Sequence, residues 1–332
     1  MKRIDLETHF YIPELLAHFT GRDTYPVFYP EKQQLLYCED YLVGSPDRLA
    51  MLLQPPVERI KIMDENEIAV QLLSVSPGIE VVERVEDAVS LCRLANTYIR
   101  RAMTEYPGRF SGYAMLPYQD VGEAVKELEF CVKEWNFCGI LAFSNFGPTS
   151  LDDPRYLPIL AKAAELDVPV YLHPLVAYEG RQRGFGKLLA CASFGFAIDV
   201  STTLLRMIMS GCFDIYPNLK VIIGHLGEGF PFILQRLDVR SLRGDRHPAV
   251  NKELVSYYFK NNIWVTSSGV FSKEAFQCTR DVLGLDRIML AGDYPYESYK
   301  ALREYADNLP LSLNENKMFL SGTAEKLFGG AF

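Results

Sequence analysis

The sequence lacks any concentrated run of basic residues. Lysine and arginine together number 34, against 42 aspartates and glutamates, and the formal net charge is −8. Such a chain is poorly suited to neutralise a phosphate backbone, which supplies much of the affinity for nucleic acid. We therefore expect no nucleic-acid partner.

Long apolar runs are also absent. A charge, a glycine or a proline interrupts each apolar stretch before it reaches the roughly 20 residues that a membrane-spanning helix needs. The stretch 188–205, for instance, contains Asp199. Residues 1–10 have no apolar core of the kind found in a signal peptide. We expect neither export nor insertion into a membrane.

The seven cysteines form no Cys-x-x-Cys pair, and their number is odd. A disulfide framework usually has an even count, and a structural zinc site has paired spacings. The expected setting is a reduced cytoplasmic compartment, in which these residues are small buried apolar side chains. The cysteines are Cys38, Cys92, Cys131, Cys138, Cys191, Cys212 and Cys278.

Eight short apolar runs alternate with eight amphipathic segments along the chain. The runs are rich in Val, Ile, Leu and Tyr, as is typical of parallel strands that are covered on both faces. This number and alternation predict a (β/α)8 TIM barrel. The predicted strands are 3–6, 68–74, 110–116, 139–143, 168–172, 221–224, 263–266 and 287–291. The predicted helices are 46–67, 86–106, 121–135, 154–166, 187–213, 229–243, 272–283 and 299–309.

A doubly wound open sheet would show the same alternation of elements. Polar, ligand-type residues follow the first, fifth, sixth and eighth strands, which would lie far apart in an open sheet but converge at the mouth of a barrel. The barrel is therefore favoured, as a single domain over 1–332. Loop insertions are expected at about 10–45 and 244–262, with a short helical extension at 310–332.

Three of the five histidines come directly after predicted strands. Glu7 and His9 follow the first strand and, as alternate residues of an extended chain, can face the same way. His173 ends the fifth strand and Asp293 follows the eighth. Two imidazoles and two carboxylates suit Zn, Mn or Fe better than they suit a thiolate-type structural zinc site.

The third of these histidines, His225, follows the sixth strand. Glu228, three residues later, can orient the imidazole or raise its basicity, which indicates a general acid or base; a metal-ligand role for His225 is the alternative. Arg236 lies on the following helix. His18 and His247 have no strand before them and are expected to be solvated or structural.

Four sequence blocks resemble the amidohydrolase superfamily. They are Glu-Thr-His after the first strand, His-Pro after the fifth, Gly-His-Leu-Gly-Glu after the sixth and Gly-Asp-Tyr-Pro-Tyr-Glu after the eighth. More narrowly, they resemble its nonoxidative decarboxylases, which act on aminocarboxymuconate semialdehyde, γ-resorcylate, 2,3-dihydroxybenzoate and 5-carboxyvanillate. Glu7, where most of the superfamily has a histidine, is similar to the hydroxybenzoate members. No lysine follows the fourth strand to bridge two metals, so one ion is implied.

The resemblance also implies roles for individual residues. One divalent ion, Mn or Zn with Mg as a further option, and no organic cofactor, would be bound by Glu7, His9, His173 and Asp293. The acid/base pair would be His225 with Glu228. Contacts to the substrate carboxylate or ring hydroxyl would come from Arg59, Arg236 and Tyr296.

The expected function is nonoxidative decarboxylation of an aromatic acid with a hydroxyl ortho to the carboxylate, with CO2 as a product. Asp293 or His225 would protonate the ring carbon. The alternative is a metal-dependent hydrolase or hydratase of a lactone, amide or related carboxylate, with Asp293 as the base. A catalytically silent binding barrel is disfavoured, because every ligand position is filled. The apolar segment 188–213 suggests a homodimer or homotetramer.

Overall fold

Eight parallel strands form one sheet in which the neighbours follow the chain order. The computed structural model describes residues 1–177, 182–244, 248–330 and 332. The strands are β1 (Ile4–His9), β2 (Val70–Ser74), β3 (Phe110–Ala114), β4 (Gly139–Phe143), β5 (Val170–His173), β6 (Val221–Ile223), β7 (Ile263–Thr266) and β8 (Ile288–Met289).

The sheet closes where β1 meets the segment after β8. The Leu6 amide donates to the Leu290 carbonyl at 3.4 Å, and the His9 amide donates to the Tyr294 carbonyl at 2.7 Å. Thr8 and Tyr294 form a parallel bridge. The predicted barrel is therefore confirmed, and the carboxyl ends of all eight strands face one mouth.

The predicted strands overlap all eight observed strands: β4 and β7 have the predicted bounds, and the other six differ by one to three residues at one or both ends. β1 continues three residues beyond the predicted end at residue 6, because Glu7, Thr8 and His9 are polar and give no apolar signal. β8 has only two residues, since the Leu290 amide leaves the ladder and donates to the Phe319 carbonyl at 3.1 Å.

Helices surround the barrel. The longer ones are Pro46–Leu52, Pro56–Glu65, Val85–Glu105, Val121–Trp135, Leu157–Glu165, Gly195–Met209, Phe230–Leu242, Val255–Asn261, Lys273–Leu283 and Tyr299–Asp307. Shorter helical segments are Pro13–His18, Lys187–Ala190, Cys212–Ile215, Leu313–Lys317, Met318–Gly322 and Thr323–Leu327.

Two predicted helices are interrupted. The segment predicted as one helix over 46–67 forms two helices that separate before Pro56. A proline has no amide hydrogen to donate, and it disfavours a helical conformation of the residue before it. The segment predicted as 187–213 forms three helices rather than one. At Gly195 the backbone approaches the preceding turn so closely that a Cβ would lie 2.4 Å from the Ala190 carbonyl oxygen. Gly211, with φ of 77°, separates the second helix from the third.

The first insertion has more order than an irregular connection. Within 10–45, a helix is followed by a three-stranded antiparallel sheet of Val27–Tyr29, Gln34–Cys38 and Tyr41–Gly44. The second insertion, 244–262, contains Val255–Asn261, while its residues 245–247 lie outside the described part of the chain. His247, expected to be solvated or structural, is one of these. Residues 178–181 and 331 also lie outside it.

One stretch of the described residues, Lys187–Met209, has the length and composition of a membrane-spanning helix. A core helix of a soluble protein can have the same properties, so the similarity is weak support for a membrane. The turn before Gly195 also divides this stretch into two helices. The absence of membrane insertion stays a prediction.

Candidate active site

The carboxyl end of β1 carries the first two candidate metal ligands. Glu7 and His9 leave the strand on the same face and are buried. Thr8, between them, points the other way and donates its hydroxyl to the Leu72 carbonyl at 2.7 Å. The alternation of a strand is thus what directs both ligands to one point.

His173, at the end of β5, reaches the same point from across the barrel. Its Nε2 lies 3.5 Å from Glu7 Oε1, and His9 Nε2 lies 3.8 Å from that oxygen. The ligand atoms of the three residues all lie within 4.8 Å of one another. Ligands about 2 Å from a single ion lie roughly 3–4 Å apart, so these three side chains fit one metal ion.

Asp293 supplies the fourth side chain of the cluster. It follows β8 in a left-handed backbone conformation, with φ of 61°. Its Oδ1 lies 3.2 Å from His9 Nε2. The structure therefore brings together all four residues that the sequence predicted as ligands.

Two buried atoms of the cluster have no hydrogen-bond partner among the described residues. They are Glu7 Oε1 and His9 Nε2, and both face the centre of the cluster. Burying a polar atom without a partner costs free energy. A divalent cation between the side chains would satisfy both atoms, so the donor set fits the predicted metal.

The outer atoms of the same side chains are held by neighbours. The Ser74 hydroxyl donates to the Thr8 carbonyl at 3.1 Å and accepts from His9 Nδ1 at 3.0 Å. His173 Nδ1 donates to the Pro174 carbonyl at 2.8 Å. With Nδ1 protonated, each imidazole keeps a lone pair on Nε2 for a metal ion. The Tyr171 hydroxyl donates to Glu7 Oε2.

Burial and charge shift the pKa values within the cluster in opposite directions. Burial, followed by the charge of His9, lowers the pKa of His173 to about 3, which keeps its imidazole neutral. Burial alone would lower the pKa of His9, but Asp293 and Glu7 raise it to about 9. Burial raises the pKa of Asp293. A cation that binds here would therefore displace a proton from His9.

His225 and Glu228 form a pair beside this cluster. His225 Nδ1 lies 2.6 Å from Glu228 Oε1. The imidazole is accommodated because residue 269 is glycine: a Cβ there would lie 3.0 Å from His225 Cδ2. Burial alone would lower the pKa of His225, but the carboxylate of Glu228 raises it to about 10. The protonated imidazole can therefore act as an acid toward the cavity.

A cavity of about 190 Å³ opens above the cluster. It has a metal-site floor, aromatic walls and charged groups near its rim. The residues that line it include Glu7, Tyr41, Arg48, Ser76, Pro77, His173, Lys187, Phe196, His225, Asp293, Tyr296 and Glu297. A wider groove of about 710 Å³ shares His225, Asp293 and Glu297 with this cavity and leads outward between Phe194 and Phe232.

The three residues predicted to contact the substrate lie in different places. Tyr296 lines the cavity; its ring centroid is 5.6 Å from that of His9, and its hydroxyl donates to the Ser76 carbonyl at 3.1 Å. Arg59 and Arg236 are not among the lining residues of either cavity described above. The structure does not bring these two arginines to the site within one chain.

Arg59 is fully buried behind β1 instead. Its guanidinium donates to the His9 carbonyl and to Gln71 Oε1, the latter at 3.4 Å, and lies 5.4 Å from the centroid of the Tyr294 ring. Its helix packs outside the barrel, so an inward-facing side chain reaches the strand backbone rather than the cavity. Arg236 is exposed, because the buried face of its helix is formed by Phe230, Pro231 and Leu234.

Sequence reasoning missed Arg48 and Lys187, which line the cavity. Neither follows a strand of the barrel. Arg48 lies in the helix after the first insertion, and Lys187 begins the interrupted helical segment after β5. Only the folding of the insertions brings them to the site, so no local motif could have identified them.

A family model described as amidohydrolase matches residues 4–330. The chain belongs to the amidohydrolase family. This confirms the family predicted from the four strand-end blocks. A γ-resorcylate decarboxylase from Rhodococcus jostii is 34% identical to this amidohydrolase over 328 residues, which cover 93% of each chain.

Two solved structures are similar to this amidohydrolase over nearly the whole chain. A 5-carboxyvanillate decarboxylase from Novosphingobium aromaticivorans, with bound manganese and 3-methoxy-4-hydroxy-5-nitrobenzoic acid, has a TM-score of 0.89 at 30% identity; the match covers 99% of this chain and 97% of that one. A dihydroxybenzoic acid decarboxylase from Polaromonas sp., with manganese and the inhibitor 2-nitroresorcinol, has a TM-score of 0.85 at 30% identity and the same coverage.

Proposed function

We propose that this amidohydrolase is a metal-dependent, nonoxidative decarboxylase of an aromatic carboxylic acid that carries a hydroxyl ortho to the carboxylate. The observation that carries the proposal is the pair of unpartnered buried atoms, Glu7 Oε1 and His9 Nε2, below a cavity that also exposes Asp293 and His225. The names of the relatives described above, and the nitrophenols bound in two of them, support the substrate class.

Glu7, His9, His173 and Asp293 would hold one divalent ion, and no organic cofactor is required for the reaction. Two nitrogen and two oxygen donors suit Mn or Zn, with Mg as a further option, and the manganese bound in relatives favours Mn. When bound, the ion would supply a Lewis acid for the phenolic and carboxylate oxygens of the substrate.

The side chains of the cavity would position the ring and exclude water. Tyr41, Phe196 and Tyr296 line the wall, and the Tyr41 and Phe196 rings meet edge to face at 5.6 Å. A dry aromatic wall favours a planar ring over bulk water and strengthens the electrostatic interactions around it.

A proton must reach the ring carbon that carries the carboxylate. Asp293 and His225 both face the cavity: burial raises the pKa of Asp293, and the carboxylate of Glu228 raises that of His225 to about 10. The proton adds to the ring carbon. The bond to the carboxylate then breaks, its electron pair returns to the ring, and CO2 leaves. Either residue can donate within this arrangement.

The experiment is a CO2-release assay with Mn-loaded protein and a panel that contains 2,6-dihydroxybenzoate, salicylate, a carboxyvanillate and a lactone. We expect CO2 from at least one phenolic acid. Opening of the lactone without CO2 from any acid would instead indicate the alternative, a metal-dependent hydrolase or hydratase in which Asp293 acts as a base. That alternative has less support, because the relatives described above are decarboxylases.

We further propose a homodimer or homotetramer in the cytoplasm. Large apolar side chains are exposed in the segment after β5 and on the helix Phe230–Leu242: Phe185, Leu188, Phe194, Phe232 and Ile233. Phe194 and Phe232 line the outer groove. Phe232 alone is 86% exposed. Large exposed apolar side chains are frequent at subunit contacts. Light scattering at micromolar concentration tests the oligomer, and a monomer would contradict it.

The seven free cysteines support the proposed location in a reducing compartment.

A further inference from the structure

Three buried hydroxyl groups connect the candidate metal site to the backbone of His225. The Tyr171 hydroxyl, on β5, donates to Glu7 Oε2. Its oxygen lies 2.9 Å from Oγ1 of Thr266, the last residue of β7, and that Oγ1 lies 3.1 Å from Ser268 Oγ. The His225 amide donates to Ser268 Oγ at 3.2 Å. Tyr171, Thr266 and Ser268, which we call the hydroxyl chain, therefore run without a break from a metal ligand to the acid/base pair.

The two ends of the hydroxyl chain fix the direction of each hydrogen bond within it. A backbone amide can only donate, and a carboxylate that binds a metal ion is ionised and can only accept. Because Tyr171 uses its one hydrogen on Glu7, Thr266 must donate to Tyr171, and Ser268 must donate to Thr266. All three side chains are fully buried. Aligned hydrogen bonds in such a setting polarise one another, so a change at one end affects the other.

The hydroxyl chain ends at a turn with an uncommon backbone conformation. His225 and Leu226 have φ of 55° and 53°, in the left-handed region that residues other than glycine rarely adopt. The hydrogen bond from the His225 amide to Ser268 stabilises this turn. Gly269, the next residue, leaves room for the His225 ring, as described above. The segment after β7 therefore positions both the backbone and the imidazole of His225.

The hydroxyl chain also requires a glycine at position 224. A Cβ there would lie 2.9 Å from Ser268 Oγ, which is closer than a Cβ normally approaches another atom. It would also lie 3.5 Å from Glu7 Oε2 and 3.6 Å from the Tyr171 hydroxyl oxygen. Gly224 thus packs against both ends of the hydroxyl chain. This close approach brings the amide of the following residue, His225, within reach of Ser268.

We propose that Thr266 and Ser268 are positioning residues of the decarboxylase: through the hydroxyl chain, they make the position of His225 and the metal affinity of the site depend on each other. The inference rests on the proposed function. Neither residue is among those that line the inner cavity or the outer groove in the described part of the chain. Their effect on the metal and on turnover therefore passes through Tyr171 and His225.

A double-mutant cycle on Mn affinity tests the hydroxyl chain without turnover. Tyr171→Phe and Ser268→Ala each remove one hydroxyl, at opposite ends. Although Ser268 does not contact Glu7, we expect Ser268→Ala to weaken Mn binding about 2-fold to 10-fold, measured by competition with a chelator. The double variant should bind Mn about as tightly as Tyr171→Phe alone, because either substitution breaks the same chain. Losses that multiply in the double variant would overturn the proposal.

Thr266 separates the effect of the hydroxyl from the effect of side-chain shape. Thr266→Val keeps the shape and removes the hydroxyl, whereas Thr266→Ser keeps the hydroxyl. At saturating Mn, we expect Thr266→Val to lower kcat for decarboxylation about 2-fold to 10-fold, the range of one hydrogen bond, with KM unchanged. Thr266→Ser should restore most of this loss.

Thr203→Val is the matched control. Thr203 is also buried, and its hydroxyl donates to the Ser144 carbonyl at 2.8 Å, outside the hydroxyl chain. This variant should keep the wild-type kcat and Mn affinity. Binding of one Mn per subunit shows that the metal site of each variant is folded.

The outcomes separate this proposal from the proposed function. CO2 release with wild-type kcat and Mn affinity in Thr266→Val would remove the role of the hydroxyl chain and leave the decarboxylase standing. So would a loss of kcat that Thr266→Ser does not restore, because packing would then explain it. No CO2 from any acid, together with a double variant that binds Mn as tightly as Tyr171→Phe, would remove the decarboxylase and support the coupling along the hydroxyl chain.

Discussion

His9 Nε2 lies 3.2 Å from Asp293 Oδ1, at the place where β1 meets the segment that closes the barrel. The contact joins residues 284 positions apart in the sequence, and the same closure is held by the His9 amide on the Tyr294 carbonyl. The site therefore depends on closure of the barrel, because Asp293 reaches the cluster only when the first and last strands meet.

Asp293→Asn tests the role of this contact in turnover. An amide keeps the shape of the side chain but cannot donate the carboxyl proton. We expect kcat for decarboxylation to fall about 100-fold to 10,000-fold, the range attributed to a positioned acid or base. The measurement is CO2 release by Mn-loaded variant, with bound metal determined in the same sample. Near-normal kcat would assign the proton to His225 and contradict this role of Asp293.

Tyr171→Phe tests the support of the metal site. The Tyr171 hydroxyl donates to Glu7 Oε2, so its loss leaves the carboxylate free to rotate and to move Oε1 away from the centre of the cluster. Loss of such an outer contact typically weakens metal binding about 10-fold to 100-fold, and we expect that range for Mn. Competition with a chelator measures it. Tyr257→Phe, at an exposed position, is the control, and an unchanged affinity in Tyr171→Phe would refute the role.

Glu228→Gln should change the titration of His225. Burial lowers the pKa of this histidine, whereas the carboxylate of Glu228 raises it to about 10. Without that carboxylate, the pKa should fall toward or below its ordinary value of 6.5. NMR of the imidazole in metal-free protein, followed with pH, measures both values. Identical titration in wild-type and variant would show that the pair has no such effect.

The same pair has a consequence for stability. The pKa of His225 is higher in the folded protein than in the unfolded chain. The stabilisation by the His225–Glu228 pair is therefore complete below about pH 6.5 and is lost as the pH rises to about 10. The free energy of unfolding of metal-free wild-type protein should therefore decrease over this window relative to Glu228→Gln. Denaturant unfolding at a series of pH values measures the difference.

Arg59→Met distinguishes a structural arginine from a substrate-binding one. Arg59 is buried and holds the His9 carbonyl, so its removal leaves that carbonyl without its partner. We expect the free energy of unfolding to fall by about 1–3 kcal/mol. Arg236→Met, at an exposed position, should change it by less than about 0.5 kcal/mol. If Arg59→Met keeps the wild-type stability and only raises KM, the result would instead favour the substrate contact predicted for Arg59.

The sequence predicted the residues that follow strands and missed those that do not. Glu7, His9, His173 and Asp293 each come at a strand end, and barrel topology alone makes such ends converge. Arg48 and Lys187 reach the cavity through the folding of an insertion and of an interrupted helix, which no periodic pattern encodes. The resemblance to related decarboxylases implied a substrate contact for Arg59, and the sequence does not show how deeply this side chain is buried.

The interrupted segment after β5 shows the same limit. Its apolar composition predicted one helix over 187–213, and the break before Gly195 arises from close packing of two turns rather than from any local helix breaker with a strong signal. That break sets Lys187 at the cavity rim. Tertiary packing therefore decides the position of a cavity-lining residue, which intrinsic helix propensity does not encode.

The most direct measurement of the central claim is decarboxylation in D2O. Mn-loaded protein is incubated with an ortho-hydroxybenzoate labelled with 13C in the carboxyl group, and NMR follows the products. We predict labelled CO2 and bicarbonate in amounts equal to the phenol formed, with one deuterium on the ring carbon that carried the carboxylate. A labelled carboxyl group that stays on the ring with every acid tested, together with hydrolysis of a lactone, would contradict it.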